Sequence, residues 1–294
     1  MGGLTLPTRA WSRSYRRAAA VAELMRLRNA AVGAAYTFLG AYLTAGEASL
    51  RTSPVLRGAL VVMLVVASGN VINDYCDAAA DAMAKPARPI PSRRVSRPAA
   101  GWLSLGLALS AWVVALSLGG PLAAFALVTI VVSVAYSYFL KGISLVGNAT
   151  VGLLCGATIV YGALAAGEVT PAVAWASTMT FVFVFAQEVF YTVEDEDGDR
   201  RSSVDTTATR LGAVAAVQIF KVLAALFVVV TLAPWLRGVA ADRYLYAVVP
   251  CTILPTLGVV VLLCRPLTAA TIDRASRLTR VVWFSSVVPV ALLR

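Results

Sequence analysis

Histidine is absent from the 294 residues. Its absence removes every Ser-His-Asp or Cys-His triad, every His-ligated metal and every imidazole base. Charge is also scarce: 14% of residues are charged and 59% are apolar, where soluble domains run at about 25% and 45–50%. A water-soluble enzyme, a disordered chain and a disulfide-stapled secreted domain are excluded together. The four cysteines, Cys76, Cys155, Cys251 and Cys264, form no C-x-x-C pair, and three lie in or beside apolar blocks. They read as small hydrophobes.

What is present in abundance is long apolar runs. Runs of the length that crosses a bilayer fall at residues 29–46, 55–72, 102–118, 121–138, 146–166, 169–190, 212–233 and 244–264, with a short last one near 280–293. None alternates like a barrel strand, so the fold class is all-α, a polytopic helical bundle in a membrane. The chain reads as a single membrane domain over 1–294. Its first 28 residues form a basic lead-in (Arg9, Arg13, Arg16, Arg17) that is too long and basic for a cleaved signal and suits an amphipathic helix on the membrane surface. Nineteen Lys and Arg fall on the face that carries the N-terminus and the 73–101, 139–145, 191–211 and 265–280 loops, against five on the other face. The bias predicts that the N-terminus and the rich loops are cytoplasmic. The net charge of +10 then reflects topology and attraction to anionic lipid, and calls for no nucleic acid.

Ten of the fifteen acidic residues occupy two short windows. One holds Asn73, Asp74, Asp77 and Asp81, just after the second run. The other extends from Glu188 to Asp205, after the sixth. Asn73, Asp77 and Asp81 are spaced by four, as are Tyr191, Asp195 and Asp199. That spacing puts each set on one helix face. The two halves look like copies, four spans apart and on the same side. Like charges so placed repel, and more strongly at a membrane boundary, so a cation is expected to offset them. Hard oxygen ligands without His or Cys point to Mg²⁺, which takes one or two carboxylates, waters and a substrate phosphate. Beside the first window lies Lys85-Pro86-Ala87-Arg88-Pro89-Ile90-Pro91-Ser92-Arg93-Arg94, a loop stiffened by three prolines. Its cations next to aspartates suit a polyanion held by metal on one side and by Lys and Arg on the other.

At these residues the chain resembles the UbiA superfamily of intramembrane prenyltransferases. Asn73-Asp74-x-x-Asp77-x-x-x-Asp81 followed by Lys85-Pro-x-Arg88-Pro-Ile-Pro-Ser92 is similar to its first motif, and Tyr191-x-x-x-Asp195-x-x-x-Asp199 to its second. Tyr136-Ser137-x-x-Leu140-Lys141 with Gly147-Asn148, and Arg26-x-x-Asn29, look like its mid-chain and N-terminal signatures. The resemblance implies nine transmembrane helices in two four-helix repeats around a central cavity, a cytoplasmic cap, and a Mg²⁺-dependent reaction on an isoprenyl diphosphate. It implies metal ligation by Asn73, Asp77 and Asp81, with Asp74 beside them, and by Asp195 and Asp199. Lys85, Arg88 and Lys141 would clamp the diphosphate. Catalytic contacts would come from Tyr136, near the breaking C–O bond, Lys141, Glu188 and Tyr191, and Arg26 and Asn29 would line the acceptor side. No obligate protein partner is evident.

Physical chemistry supplies a reason for that mechanism. Diphosphate leaves readily only when cations neutralise the charge that grows on it, and the allylic cation must be kept from water. Aromatic residues in the spans (Tyr36, Phe38, Tyr42, Tyr161, Phe181, Phe183, Phe190) offer π faces to such a cation, although core packing accounts for most of them. The chain departs from the family pattern at Arg93, where Gly usually follows Pro-Ser; at Glu188, often Asp in the aromatic-substrate branch; at Asp205, commonly Lys; and at Thr192, which lacks the extra acid of the lipid-making branch. The leading expectation is transfer of a prenyl chain to an aromatic or polyol acceptor. The alternatives are a terpene cyclase on the same scaffold, which needs no acceptor, and a transporter, disfavoured because the acids sit at the membrane face and the repeats share one orientation.

Overall fold

The computed structural model describes residues 8–201 and 204–294, with side chains from residue 15. The first seven residues of the basic lead-in and the side chains of Arg9 and Arg13 lie outside the described residues. Helix α1 (Thr8–Met25) ends at Arg26, whose left-handed backbone (φ 45°, ψ 59°) turns the chain into α2 (Leu27–Ala45). Then follow α3 (Ser53–Cys76), α4 (Ala78–Ala84), α5 (Arg97–Leu116), α6 (Gly120–Leu140), α7 (Val146–Ala166), α8 (Pro171–Glu194), α9 (Glu196–Arg201) and α10 (Thr207–Leu211). Helices α11 (Ala213–Leu236), α12 (Asp242–Leu262), α13 (Ala269–Ser285) and α14 (Val287–Ala291) complete the chain.

Seven of these, α3, α5, α6, α7, α8, α11 and α12, are long and apolar enough to cross a membrane. Helix α2 coincides with the first expected run and packs against α3 and α7. The expected short run near 280–293 covers the end of α13 and all of α14, and α13 itself begins earlier, at Ala269, and carries Asp273, Arg274, Arg277 and Arg280. Its start is fixed by Thr268, whose side chain accepts from the Thr271 N–H at 3.2 Å, and an Asp273–Arg277 pair one turn apart supports its charged face. A search for apolar runs passes over such a helix.

The helices approach closely where they lack side chains. A Cβ on Gly40 of α2 would lie 1.9 Å from the Ile159 carbonyl oxygen, and one on Gly162 of α7 would lie 1.9 Å from that of Thr37. Backbone contact of this kind is how helices associate where lipid removes the hydrophobic drive. Helix α8 runs through the core: Val173, Val189 and Phe190 are fully buried, and Phe190 packs on Phe220 with ring centroids 5.2 Å apart. Outward-facing Trp102, Val113, Val128 and Val222 are exposed, as expected of surface that meets acyl chains. The four cysteines are unpaired. Three are partly buried, and Cys264 is exposed.

Candidate active site at one face of the bundle

Helices α3 and α8 end alike. Asp77 (φ −79°, ψ −1°) and Asp195 (φ −94°, ψ 0°) each break the helix without breaking its hydrogen-bond register. The N–H of Asp77 donates to Asn73, that of Asp81 to Asp77 and that of Lys85 to Asp81, at 2.8–2.9 Å. On the other side Asp195 donates to Tyr191 at 3.0 Å and Asp199 to Asp195 at 2.9 Å. Each acidic set therefore stays on one face through a helix, a bend and a short second helix. The two short helices, α4 and α9, touch. The copies suggested by the spacing converge.

They meet over a cavity of about 420 Å³. Asn73, Asp77 and Asp81 form one wall and Asp195 and Asp199 the other. Lys85, Arg88, Lys141 and Arg26 supply the cations, while Tyr136, Glu188 and Tyr191 lie among the lining groups. Because residues from the ends of α3, α6 and α8 and from the start of α2 share this space, their loops lie on one face, as the charge count required.

The cations already hold part of the first wall. Lys141 is ion-paired with Asp77, and its Nζ also donates to Asn73 Oδ1 at 3.4 Å. Arg88 Nη1 donates to Asp81 Oδ2 at 2.6 Å and to Asp74 Oδ1 at 3.3 Å. A π turn over Tyr136–Leu140, closed by the Lys141 N–H on the Tyr136 carbonyl at 3.0 Å, sets Lys141 one turn above Tyr136 so that both reach the cavity. Burial and the neighbouring Asp195 raise the Asp199 carboxyl above the ordinary carboxylate range. Lys85, the Thr206 hydroxyl and Lys141 offset part of that shift.

Two expected residues lie elsewhere. Asp74 does not line the cavity. It is 5% exposed and bound by Arg26 at 2.6 Å and by Arg88. One residue on from Asn73 turns it about 100° around the helix, away from the stripe, so it anchors arginines where metal ligation was expected. Asn29 is exposed and absent from the lining, because the left-handed Arg26 breaks the helical phase that would put residues 26 and 29 on one face. None of the seven span aromatics singled out above lines the cavity; Phe183 packs on Phe227 and Tyr161 on Phe125. Among the described residues the cavity does not continue into one open apolar chamber. In its place are voids of about 40 and 10 Å³ that share Phe183 and Phe227.

Sequence reasoning missed Arg201, Ser144, Asp197 and a structural role for Thr207. Arg201 and Asp197 fall between the positions of the four-residue spacing that singles out Asp195 and Asp199, yet both line the cavity. Thr207 donates to Asn148 Oδ1 at 2.9 Å and accepts from the Leu145 N–H at 3.3 Å, tying the roof to α7. Gly147 is needed there because a Cβ would sit 3.0 Å from the Leu140 carbonyl. Asp205, in place of the common Lys, is exposed and pairs with Arg210 outside the cavity. Arg94 braces the loop on Glu23 at 2.6 Å, and Arg97 lies over the Tyr75 ring at 4.6 Å, so neither faces the cavity.

The donor set fits Mg²⁺. No three Asp, Glu or Cys among the described residues close into a metal cage. Pairs of carboxylates facing each other across an open space are what an ion needs when it completes its shell with water and phosphate oxygens.

A model of the UbiA prenyltransferase family matches residues 34–281. The digeranylgeranylglyceryl phosphate synthase of Haloquadratum walsbyi is 33% identical over 81% of this chain and 83% of its own. That of Natronomonas pharaonis is 35% identical over 78% and 82%. Among solved structures, one from work on digeranylgeranylglyceryl phosphate synthase in membranes superposes with a TM-score of 0.78 at 21% identity, covering 94% of this chain and 97% of that one. A UbiA homologue from Archaeoglobus fulgidus bound to GPP and Mg²⁺ gives 0.68 at 16%, covering 92% and 99%. With its acid-lined cavity at one face of a multi-pass membrane bundle, this chain belongs to the UbiA prenyltransferase family, enzymes that transfer prenyl groups.

Proposed function

We propose that the protein moves an isoprenyl chain from an isoprenyl diphosphate to a hydroxyl of a prenylated glyceryl phosphate acceptor within the membrane, with Mg²⁺ as cofactor. The observation that carries this reading is the meeting of two carboxylate stripes and five cations over one cavity. Relatives that span four-fifths of the chain make a glyceryl phosphate bearing two geranylgeranyl groups. This supports a polyol acceptor over an aromatic one, and transfer over cyclisation.

Asp77 and Asp81 on one wall and Asp195 and Asp199 on the other would hold the metal, with Asn73 beside them. When bound, Mg²⁺ neutralises charge on the departing diphosphate. Lys85, Arg88 and Lys141 bind the diphosphate oxygens. In the structure Arg88 and Lys141 are paired with Asp81 and Asp77; on substrate binding they exchange those carboxylates for phosphate oxygens. Tyr136, one turn deeper than Lys141, sits where the C–O bond would break and presents a ring face to the allylic cation. Arg26, held by Asp74, keeps a guanidinium at the cavity edge for the acceptor's phosphate. The prenyl tail extends into the apolar core and displaces side chains around Phe183 and Phe227. The cavity opens to the cytoplasm, in keeping with the nineteen-to-five basic bias.

The test is purified protein with Mg²⁺ and C10 to C25 isoprenyl diphosphates, with and without a geranylgeranylglyceryl phosphate acceptor, read by mass spectrometry. An ether formed only with acceptor is expected. A cyclic hydrocarbon formed without acceptor would overturn the reading.

A further inference from the structure

Among the carboxylates that line the cavity, Glu188 is set apart. It lies seven residues before Asp195 on the same helix, hence about 10 Å below it towards the middle of the membrane. Seven residues are close to two full turns, so both side chains leave α8 on the same face. Asp77 and Asp81 have Lys141 and Arg88, and Asp195 and Asp199, which have no ion pair among the described residues, lie at the mouth beyond the end of α8. Glu188 has neither an ion pair nor a hydrogen bond among the described residues, and it is partly buried between the fully buried Val189 and the buried Gln187. A carboxylate at this depth without a partner is costly, and an apolar or amide residue would fill the position more stably. Tyr136 and Tyr191 line the same cavity, and a diphosphate gripped at the mouth would bring its first prenyl carbon towards them.

Transfer to an alcohol raises a proton problem that transfer to carbon does not. The hydroxyl oxygen is a weak nucleophile until its proton leaves, and the oxonium formed by attack must lose that proton before the ether is stable. We propose that Glu188 is the general base that takes the acceptor's hydroxyl proton; the assignment rests on the alcohol-acceptor reading above. The bond from the first prenyl carbon to the diphosphate oxygen breaks, and its electron pair leaves with diphosphate. A lone pair of the acceptor hydroxyl oxygen forms the new C–O bond. The O–H bond breaks onto that oxygen, and its proton passes to a Glu188 carboxylate oxygen and later to water at the mouth. A single unpaired carboxylate two turns below the diphosphate grip is where this chemistry requires one.

The test is Glu188→Gln, which keeps size and shape but takes no proton, with Glu188→Asp as the conservative variant. Geranylgeranyl diphosphate, Mg²⁺ and geranylgeranylglyceryl phosphate are supplied, and ether and released diphosphate are both measured in each turnover series. The ratio of ether to diphosphate is expected to fall by about 10²-fold or more in Glu188→Gln, with prenyl alcohol taking the place of the ether, and to recover in part in Glu188→Asp. An unchanged ratio in Glu188→Gln would overturn the proposal and leave the departing diphosphate as the base. An equal fall of ether and diphosphate would also overturn it, since the residue would then serve ionisation. Wild-type protein that releases diphosphate yet alkylates no hydroxyl would remove the acceptor reading itself, and the base with it.

Discussion

Arg88 is the hinge of the charge arrangement at the first acidic wall, and its removal has a calculable consequence. Its guanidinium spans Asp81 at 2.6 Å and Asp74 at 3.3 Å, and the three side chains are 26%, 9% and 6% exposed. Breaking a buried ion pair by deleting one partner costs about 3–5 kcal/mol, because a charge is left behind. Arg26 still holds Asp74 at 2.6 Å, and a quarter of Arg88 meets solvent, so the expected loss for Arg88→Met is about 2–3 kcal/mol. For a chain of this size that lowers the apparent Tm by about 4–10 °C. Thermal denaturation in detergent micelles without Mg²⁺ measures it. Most of the loss is uncompensated charge on Asp81, so the double variant Arg88→Met/Asp81→Asn should regain at least half. A single variant within about 1 °C of wild type, or a double variant no better than the single, would show that Arg88 does not neutralise Asp81 in the fold.

Two further outcomes follow from local geometry. Arg93 has φ 59°, a left-handed conformation that costs a side-chain-bearing residue about 1–2 kcal/mol, whereas glycine adopts it freely but loses more entropy on folding. Arg93→Gly should therefore raise the apparent Tm by one to a few degrees, with a gain of about 0.5–1 kcal/mol; a fall would show that the Arg93 side chain makes a needed contact. Asp199 has its folded pKa raised by burial and by Asp195, so its ionised form opposes folding. That penalty is absent below the ordinary carboxylate range, grows as pH rises through it and is complete above the raised pKa. Asp199→Asn should stabilise the metal-free protein at about pH 8, lose that advantage towards about pH 4, and weaken the stabilisation given by Mg²⁺. Thermal shifts across this range in EDTA and in Mg²⁺ check each part.

The parts of the fold legible in the sequence are those set by a repeated physical demand. Lipid needs long apolar helices, and eight of the nine expected runs fall on helices within a few residues. Four-residue spacing fixes a face, so both acidic stripes were readable even though Asp77 and Asp195 bend the chain. Spacing alone does not say which neighbour meets that face. Asp74 belongs to the same motif as Asp77 but points to Arg26 and Arg88 across 48 and 14 residues of chain. Asn29 was misplaced because one left-handed residue, Arg26, shifts the helical phase, and nothing in the residue type announces it. The charged helix α13 was shortened to its apolar end for the opposite reason: its stability comes from a cap, an ion pair and a small-residue packing face, not from hydropathy. The Arg93 departure from the usual Gly is in the structure a side chain placed on a backbone conformation suited to glycine.

Under the proposed function the α3 and α8 carboxylates act as one device on one diphosphate. The direct measurement is Mg²⁺-dependent diphosphate release from geranylgeranyl diphosphate by wild type, Asp77→Asn, Asp195→Asn and the double variant, with folding verified by thermal shift. If the two walls grip the same group, each single change should reduce the rate by at least about 10²-fold and the double should fall little further, because residues that act as a unit are not additive. Near-wild-type release from either single variant, or a double loss equal to the product of the two, would contradict the account.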